Sequence, residues 1–255
     1  MNEFTGKATV YDKARPGYAP AALDFIVGLV APPVPPCSTP TNLRFAGDPG
    51  QAKGALKATV ADIGAGTGKL TKLLLERFEY VIAVEPNADM RSKLPVLPNL
   101  RVMDGSAEAT GLPDHSVDAV TCAQAFHWFD GEKFKHECLR ILKPGGRVFV
   151  VYNNPVGHER HDELAWCSPV TGSGWYEREE RLRDFFGGAL TRTVFPNPVC
   201  YDEESWPAYM LSHSCSPRPG DDIYERFVES IRLIFERNHE NGLMRMQFET
   251  TVYSA

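Results

Sequence analysis

Val60-Ala-Asp-Ile-Gly-Ala-Gly-Thr-Gly68 decides the fold of this 255-residue chain. It reads as a short buried strand running into a glycine-rich turn, and Lys69 to Phe78 continues with helix-forming residues. Glycines at alternate positions let a backbone turn tightly and lie against a ligand, where a Cβ would clash. A second apolar strand, Tyr80 to Val84, follows and ends in Glu85. An acidic side chain there can accept both ribose hydroxyls of an adenosine.

Spacing separates three kinds of glycine loop. A phosphate-cradling loop needs glycine five places before the Gly-Lys pair and Ser or Thr after it; Gly68-Lys69 has Ile63 and Leu70 there. The dinucleotide pattern G-x-G-x-x-G needs a glycine where Lys69 stands. What remains is D-x-G-x-G-x-G, with Asp62 just before the turn.

With these residues the chain resembles the class I S-adenosylmethionine-dependent methyltransferases. Asp62 to Gly68 is similar to the family's first motif and Val84-Glu85-Pro86-Asn87 to its second. Gly105-Ser-Ala-Glu108, then Leu112-Pro113 and Ser116-Val-Asp118, resembles the adenine-binding segment and fourth strand. Leu139-Arg-Ile-Leu-Lys-Pro-Gly-Gly146 resembles the turn before the fifth. Together these cover residues 60 to 152. Tyr11-Asp-Lys-Ala-Arg-Pro-Gly-Tyr18, Gln124-Ala-Phe-His-Trp-Phe-Asp130, Leu211 to Ser214 and Thr250 to Tyr253 resemble the small-molecule branch that includes the trans-aconitate methyltransferase-like proteins.

From Ala58 to Tyr152 apolar strands alternate with helices. Strands are expected at 58–63, 80–84, 100–103, 117–122 and 147–152, with helices at 68–78, 87–93 and 131–141. Such alternation builds a parallel sheet covered on both faces, with ligands at the carboxyl ends of the strands. The glycine turn, Glu85, Asp104 to Glu108 and Gln124 to Trp128 all fall at those ends. Before this region, residues 1–57 read as an N-terminal segment, an amphipathic helix over 20–30 and a Pro- and Gly-rich insertion from Pro32 to Leu56. After it, helices are expected at 158–166, 175–186, 203–211 and 222–237, and strands at 191–195 and 247–253. The expected architecture is α/β: a Rossmann-like, seven-stranded, mostly parallel sheet with helices on both faces and an antiparallel last strand. The resemblance places a helical cap at about 155–240, within a methyltransferase domain over 58–255.

The resemblance also assigns roles. The cofactor would be S-adenosylmethionine, held by Tyr11, Arg15, Asp62, Gly64, Ala65, Gly66, Gly68, Glu85, Pro86, Met90, Ser106, Ala107, Glu108 and Gln124. Residues 1–20 are either a solvated segment or a flap over the cofactor, with Arg15 towards a carboxylate. His127 lies after the fourth strand, where an imidazole could take a proton from an attacking hydroxyl or amine; it could equally be a structural histidine beside Trp128. Asp118 could be a structural carboxylate binding backbone N–H groups. His213, Arg218 and Trp206 are candidates for acceptor recognition, the alternative being plain surface or core.

Composition sets the outer limits. Hydrophobic content of 43% and 24% charged residues suit a soluble globular chain, and a net charge of −6 argues against a nucleic-acid surface. No apolar run reaches the ~18 residues of a membrane span. Six scattered cysteines without a C-x-x-C pair indicate no zinc site or disulfide scaffold, so reduced thiols, no metal and a cytoplasmic location are expected. The partner expected is a small-molecule acceptor, with the chain a monomer or homodimer. Rival readings are a nicotinamide-dependent oxidoreductase, a non-catalytic adenosyl-cofactor-binding protein and a nucleic-acid methyltransferase, the last lacking an N-P-P-Y-type tetrad at Gln124 to His127.

Overall fold

A strand buried on both faces must send alternate side chains into two separate cores. The computed structural model, which describes residues 15–31, 55–156, 164, 173–213 and 216–255 (backbone alone at 173–177), is built this way. The strands β1 (Leu56–Ile63), β2 (Phe78–Val84), β3 (Leu100–Met103), β4 (Val117–Ala123) and β5 (Leu142–Pro155) pair in parallel. Val60, Val81, Ala119, Phe149 and Val151 enter one core; Ala61, Ile82, Val120, Val150 and Tyr152 enter the other. All of these but Ile82, which is 6% exposed, are fully buried.

The first core is closed by α1 (Pro20–Val30), through Ala22, Leu23 and Ile26, and by α2 (Lys69–Leu75), through Leu70 and Leu74. Pro20 opens α1 at a position where its missing N–H costs nothing. After the short α3 (Ala88–Arg91), the second core is closed by α4 (Gly131–Ile141) and α5 (Ser173–Phe186). Asp130 caps α4 by accepting from the Lys133 N–H. Phe134, Cys138 and Ile141 then recur at helical spacing on its buried face.

The sheet is completed by β6 (Thr191–Pro196) and β9 (Phe248–Ser254), in the order β3-β2-β1-β4-β5-β9-β6. β9 runs antiparallel to both neighbours, as expected for the last strand. The segments expected at 20–30, 100–103 and 131–141 form with those bounds. β5 starts five residues before the expected 147 because Leu142 already pairs with Val117, ahead of an irregular turn at Gly145, φ +79°.

A third core lies between β7 (Val199–Tyr201), α6 (Ser205–Leu211), α7 (Tyr224–Asn238) and β8 (Met244–Met246). β7 and β8 form a two-stranded antiparallel sheet that no sequence pattern announced. The expected helix over 158–166 and the insertion up to residue 54 lie outside the described residues, apart from Leu164, which packs into this third core.

Glu137 ties α4 to the loop after β3, its Oε1 accepting from both the N–H and the hydroxyl of Thr110 while Arg140 donates to both oxygens. Burial alone would raise its pKa, but the bonds from Arg140 and Thr110 outweigh it and hold the group at about 2. The charged form therefore stabilises the fold above the ordinary carboxylate value of 4.5, and that contribution is lost as pH falls towards about 2. Glu137→Gln should cost about 1–3 kcal/mol at pH 7. The gap to wild type should narrow at pH 3, read by denaturant unfolding at the two pH values.

Candidate active site

The glycine turn is shaped by contacts on both sides. Gly64, Gly66 and Gly68 take φ values of +68°, +57° and +84°, the left-handed region that other residues avoid. The N–H groups of Gly64 and Ala65 donate to the Val84 carbonyl at 2.9 and 3.2 Å, holding the turn across the end of β2. A Cβ on Gly64 would lie 2.8 Å from the Ala125 Cβ, and one on Gly68 2.6 Å from the Leu94 side chain. A Cβ on Gly66 would meet nothing within 4 Å. Two glycines are thus packed against protein and the middle one faces open space.

Glu85 sits beside that open glycine. Its Oε2 accepts from the Gly66 N–H at 2.8 Å and its Oε1 from the Asn87 N–H at 2.8 Å. Each oxygen keeps a lone pair for a further donor. Burial raises the Glu85 pKa, against the bonds from Asn87 and Gly66 and the nearby Arg91. Arg91 donates to the Glu85 and Pro86 carbonyls at 2.6 and 3.0 Å and reaches Asp104 at 3.1 Å, so the ends of β2 and β3 are clasped together.

Asp62 is buried below the turn, accepting from the Thr71 hydroxyl at 2.6 Å and the Thr121 hydroxyl at 3.1 Å. Burial pushes its pKa to about 6 despite both bonds. In the turn itself, the Thr67 hydroxyl is buried without a hydrogen-bond partner among the described residues. A group placed among these residues would offer that hydroxyl a partner, a feature that the glycine pattern alone did not single out.

The border of the site is formed by short, firmly bonded pieces. Met90 is buried in α3, and its N–H is capped by the Asn87 side chain at 3.1 Å. Pro86 is partly buried before it. Ser106 and Ala109 exchange backbone bonds in a tight turn, which leaves Ala107 buried between them. A Cβ on Gly105 would come within 2.8 Å of the Thr110 carbonyl, so the turn requires glycine there. Glu108 accepts from the Asp130 N–H at 3.0 Å, joining this turn to the start of α4.

At the end of β4, Gln124 takes φ +53°, a left-handed geometry that strains a residue with a long side chain. Its N–H donates to Val151 and its side-chain amide to the Asn153 carbonyl at 2.7 Å, which hold it there. A 3-10 turn, Phe126–Trp128, follows. His127 Nδ1 lies 3.5 Å from the Tyr152 hydroxyl, and Arg181 donates to the His127 and Phe129 carbonyls at 3.0 and 2.6 Å. The guanidinium of Arg178 sits 4.2 Å above the Tyr152 ring. His127 keeps an exposed edge, yet crowding strips most water from its ring. That burial, followed by the charges of Arg178 and Arg181, lowers its pKa to about 4. The imidazole is neutral at pH 7.

The segment before α1 is pinned across the same strand ends. Asn153 and Asn197 both donate to the Gly17 carbonyl, at 3.1 and 2.8 Å. Asn197 and Thr250 in turn donate to Asn153 Oδ1, and Ala19 donates to Thr250. Arg15, just upstream, has its guanidinium 5.7 Å from the centre of the Tyr209 ring and a long contact of 3.4 Å to the Ser212 carbonyl. It lies against the third core rather than among the glycine-turn bonds. Tyr11 lies outside the described residues.

Other candidates separate by position. Trp206 is core, 1% exposed, with its indole donating to the Ile231 carbonyl at 2.7 Å. His213 packs on Tyr209, and Arg218 is exposed with its N–H on Asp221. Asp118 accepts from the Thr59 N–H and the Lys143 ammonium at the opposite end of β4, a structural role as the sequence allowed. No group of three His, Cys, Asp or Glu side chains gathers as a metal site among the described residues, and none of their helices is long and apolar enough to cross a membrane.

The raised Asp62 pKa makes a prediction on its own. A carboxyl whose folded value lies above its unfolded value of 3.8 contributes stability below that value and loses it as pH rises through about 6. The protein without ligand should therefore lose about 2 kcal/mol relative to Asp62→Asn between pH 4 and pH 7. Parallel denaturant titrations of the two proteins measure the difference directly.

Comparison with known proteins bears on this geometry. A family model described as a methyltransferase domain matches residues 61–150, from β1 through most of β5. An uncharacterised methyltransferase-like protein of Schizosaccharomyces pombe is 39% identical over 212 residues, covering 77% of this chain and 81% of that protein. An uncharacterised methyltransferase of Mycobacterium tuberculosis is 36% identical over 164 residues, 64% of this chain. The matched part spans only 55% of that mycobacterial protein. A solved structure from Anaeromyxobacter dehalogenans superposes with a TM-score of 0.61 at 21% identity, covering 94% of this chain and 97% of its own. That likeness is one of fold. The glycine turn, the acidic end of β2 and the S. pombe relative together establish that the chain belongs to the class I S-adenosylmethionine-dependent methyltransferases.

Proposed function

We propose that the protein transfers a methyl group from S-adenosylmethionine to a small-molecule acceptor that carries a carboxylate. The observation that carries the cofactor part is the Glu85 carboxylate, tied to the N–H of Gly66 where a Cβ would meet only open space. When bound, S-adenosylmethionine supplies an electrophilic methyl on a sulfonium, so the chain has to orient the acceptor and keep water away. Glu85 takes the ribose hydroxyls, and Gly64, Ala65, Gly66 and Gly68 let the backbone approach. Asp62 holds the turn through Thr71. Pro86, Met90, Ser106, Ala107 and Glu108 border the adenine, and Gln124 lies at the methionine end.

His127 then has a defined use. A neutral imidazole at the end of β4 can take a proton from an attacking hydroxyl or amine, whereas an ionised carboxylate needs no base. The carboxylate part of the reading is supported by the cations near these strand ends: Arg15 over Tyr209, and Arg178 and Arg181 around His127. The third core, with α6, α7 and the β7–β8 sheet, serves as the cap over the acceptor.

Calorimetric titration with S-adenosylmethionine, S-adenosylhomocysteine and NAD tests the reading. The first two should bind and NAD should not. Glu85→Ala should weaken both by ~1–3 kcal/mol, roughly five-fold to more than a hundred-fold. NAD binding, or an unchanged affinity in the variant, would refute it.

A further inference from the structure

Tyr201 is 3% exposed, and its hydroxyl is buried without a hydrogen-bond partner among the described residues. A phenol that loses water on folding without gaining a bond is destabilising, and such orphans mark places where another group completes the structure. The ring is fixed from several sides: stacked on Tyr209 at 4.9 Å, against Trp206 at 6.0 Å and against Phe248 at 6.5 Å. It cannot swing out to find water. A nearby charge is Arg15, whose guanidinium faces the same Tyr209 ring and interacts electrostatically with the Tyr201 phenol.

This pair stands close to the cofactor's strand ends. Tyr201 is four residues beyond Asn197, and Arg15 is two residues before Gly17. Asn197 and Gly17 are bonded directly to each other at 2.8 Å. Two residues of extended chain reach at most about 7 Å. Gly17 is also held by Asn153, whose carbonyl accepts from Gln124 at the end of β4. One short chain of bonds therefore joins Asn197 and Gly17, which lie four residues from Tyr201 and two from Arg15, to Gln124, the residue expected at the methionine end.

We propose that Tyr201 and Arg15 form an anion subsite that receives a carboxylate of the acceptor remote from the methylated atom, the hydroxyl donating one hydrogen bond and the guanidinium supplying the charge. A phenol and a guanidinium together suit a carboxylate, which accepts at both oxygens and carries the charge that the guanidinium pairs with, and favour it over an uncharged carboxamide. This deepens the function proposed above and rests on it.

The test uses the full chain saturated with S-adenosylhomocysteine, titrated calorimetrically with succinate, glutarate and tricarballylate and with the matching amides. At least one acid should bind wild type and its amide should not. Tyr201→Phe, which removes one oxygen from a fixed ring, should weaken that acid about ten-fold or more and leave S-adenosylhomocysteine affinity unchanged. Arg15→Gln should weaken the acid at least as much. Equal binding of acid and amide, equal binding by wild type and Tyr201→Phe, or no binding of any acid to protein that does bind S-adenosylhomocysteine would overturn the subsite alone. Failure of S-adenosylhomocysteine to bind would overturn the subsite and the proposed function together.

Discussion

The bond from the Gly66 N–H to the Glu85 carboxylate is the constraint on which the rest of the site depends. It joins the turn after β1 to the end of β2, and the second oxygen binds Asn87 at the entrance to α3. Three backbone segments are set by one side chain. Left-handed backbone favours glycine on both sides of the joint, and a Cβ on Gly64 would also collide with the Ala125 Cβ. The burial that raises the Glu85 and Asp62 pKa values also makes their bonds strong, because competing water is excluded.

Around this joint the strand ends are fastened by polar bonds rather than by more apolar packing. Arg91 clasps β2 to β3 and Glu108 holds the loop after β3 to α4. Gln124 fixes β4 to β5, and Asn153, Asn197 and Thr250 hold Gly17 over β5, β6 and β9. Apolar cores on the two faces make the sheet rigid. Its carboxyl edge stays polar and shaped, which suits a cofactor whose own chemistry needs positioning more than assistance.

Much of this was legible because a buried parallel strand is a run of apolar residues that ends abruptly. Val60 to Ile63 and Val117 to Cys122 announce themselves, and their last residues locate the site. β7 and β8 were invisible because three residues carry no measurable period. The Asn153 hub was invisible for another reason. Its bonds to Asn197 and Thr250 span 44 and 97 residues, and an asparagine at a strand end looks the same with or without them. Left-handed Gln124 gives no signal in composition, since only glycine advertises that geometry. Trp206 shows the limit of pattern: an aromatic on an amphipathic helix reads equally as acceptor contact or core, and its burial and its bond to Ile231 decide for core.

The crystal structure of the complex with S-adenosylhomocysteine tests the central claim most directly. The account predicts the ligand across the ends of β1, β2 and β4, with both ribose hydroxyls within hydrogen-bond distance of Glu85 and the Gly66 to Glu85 bond intact. A ligand bound elsewhere, or one in this cleft whose ribose does not touch Glu85, would contradict it.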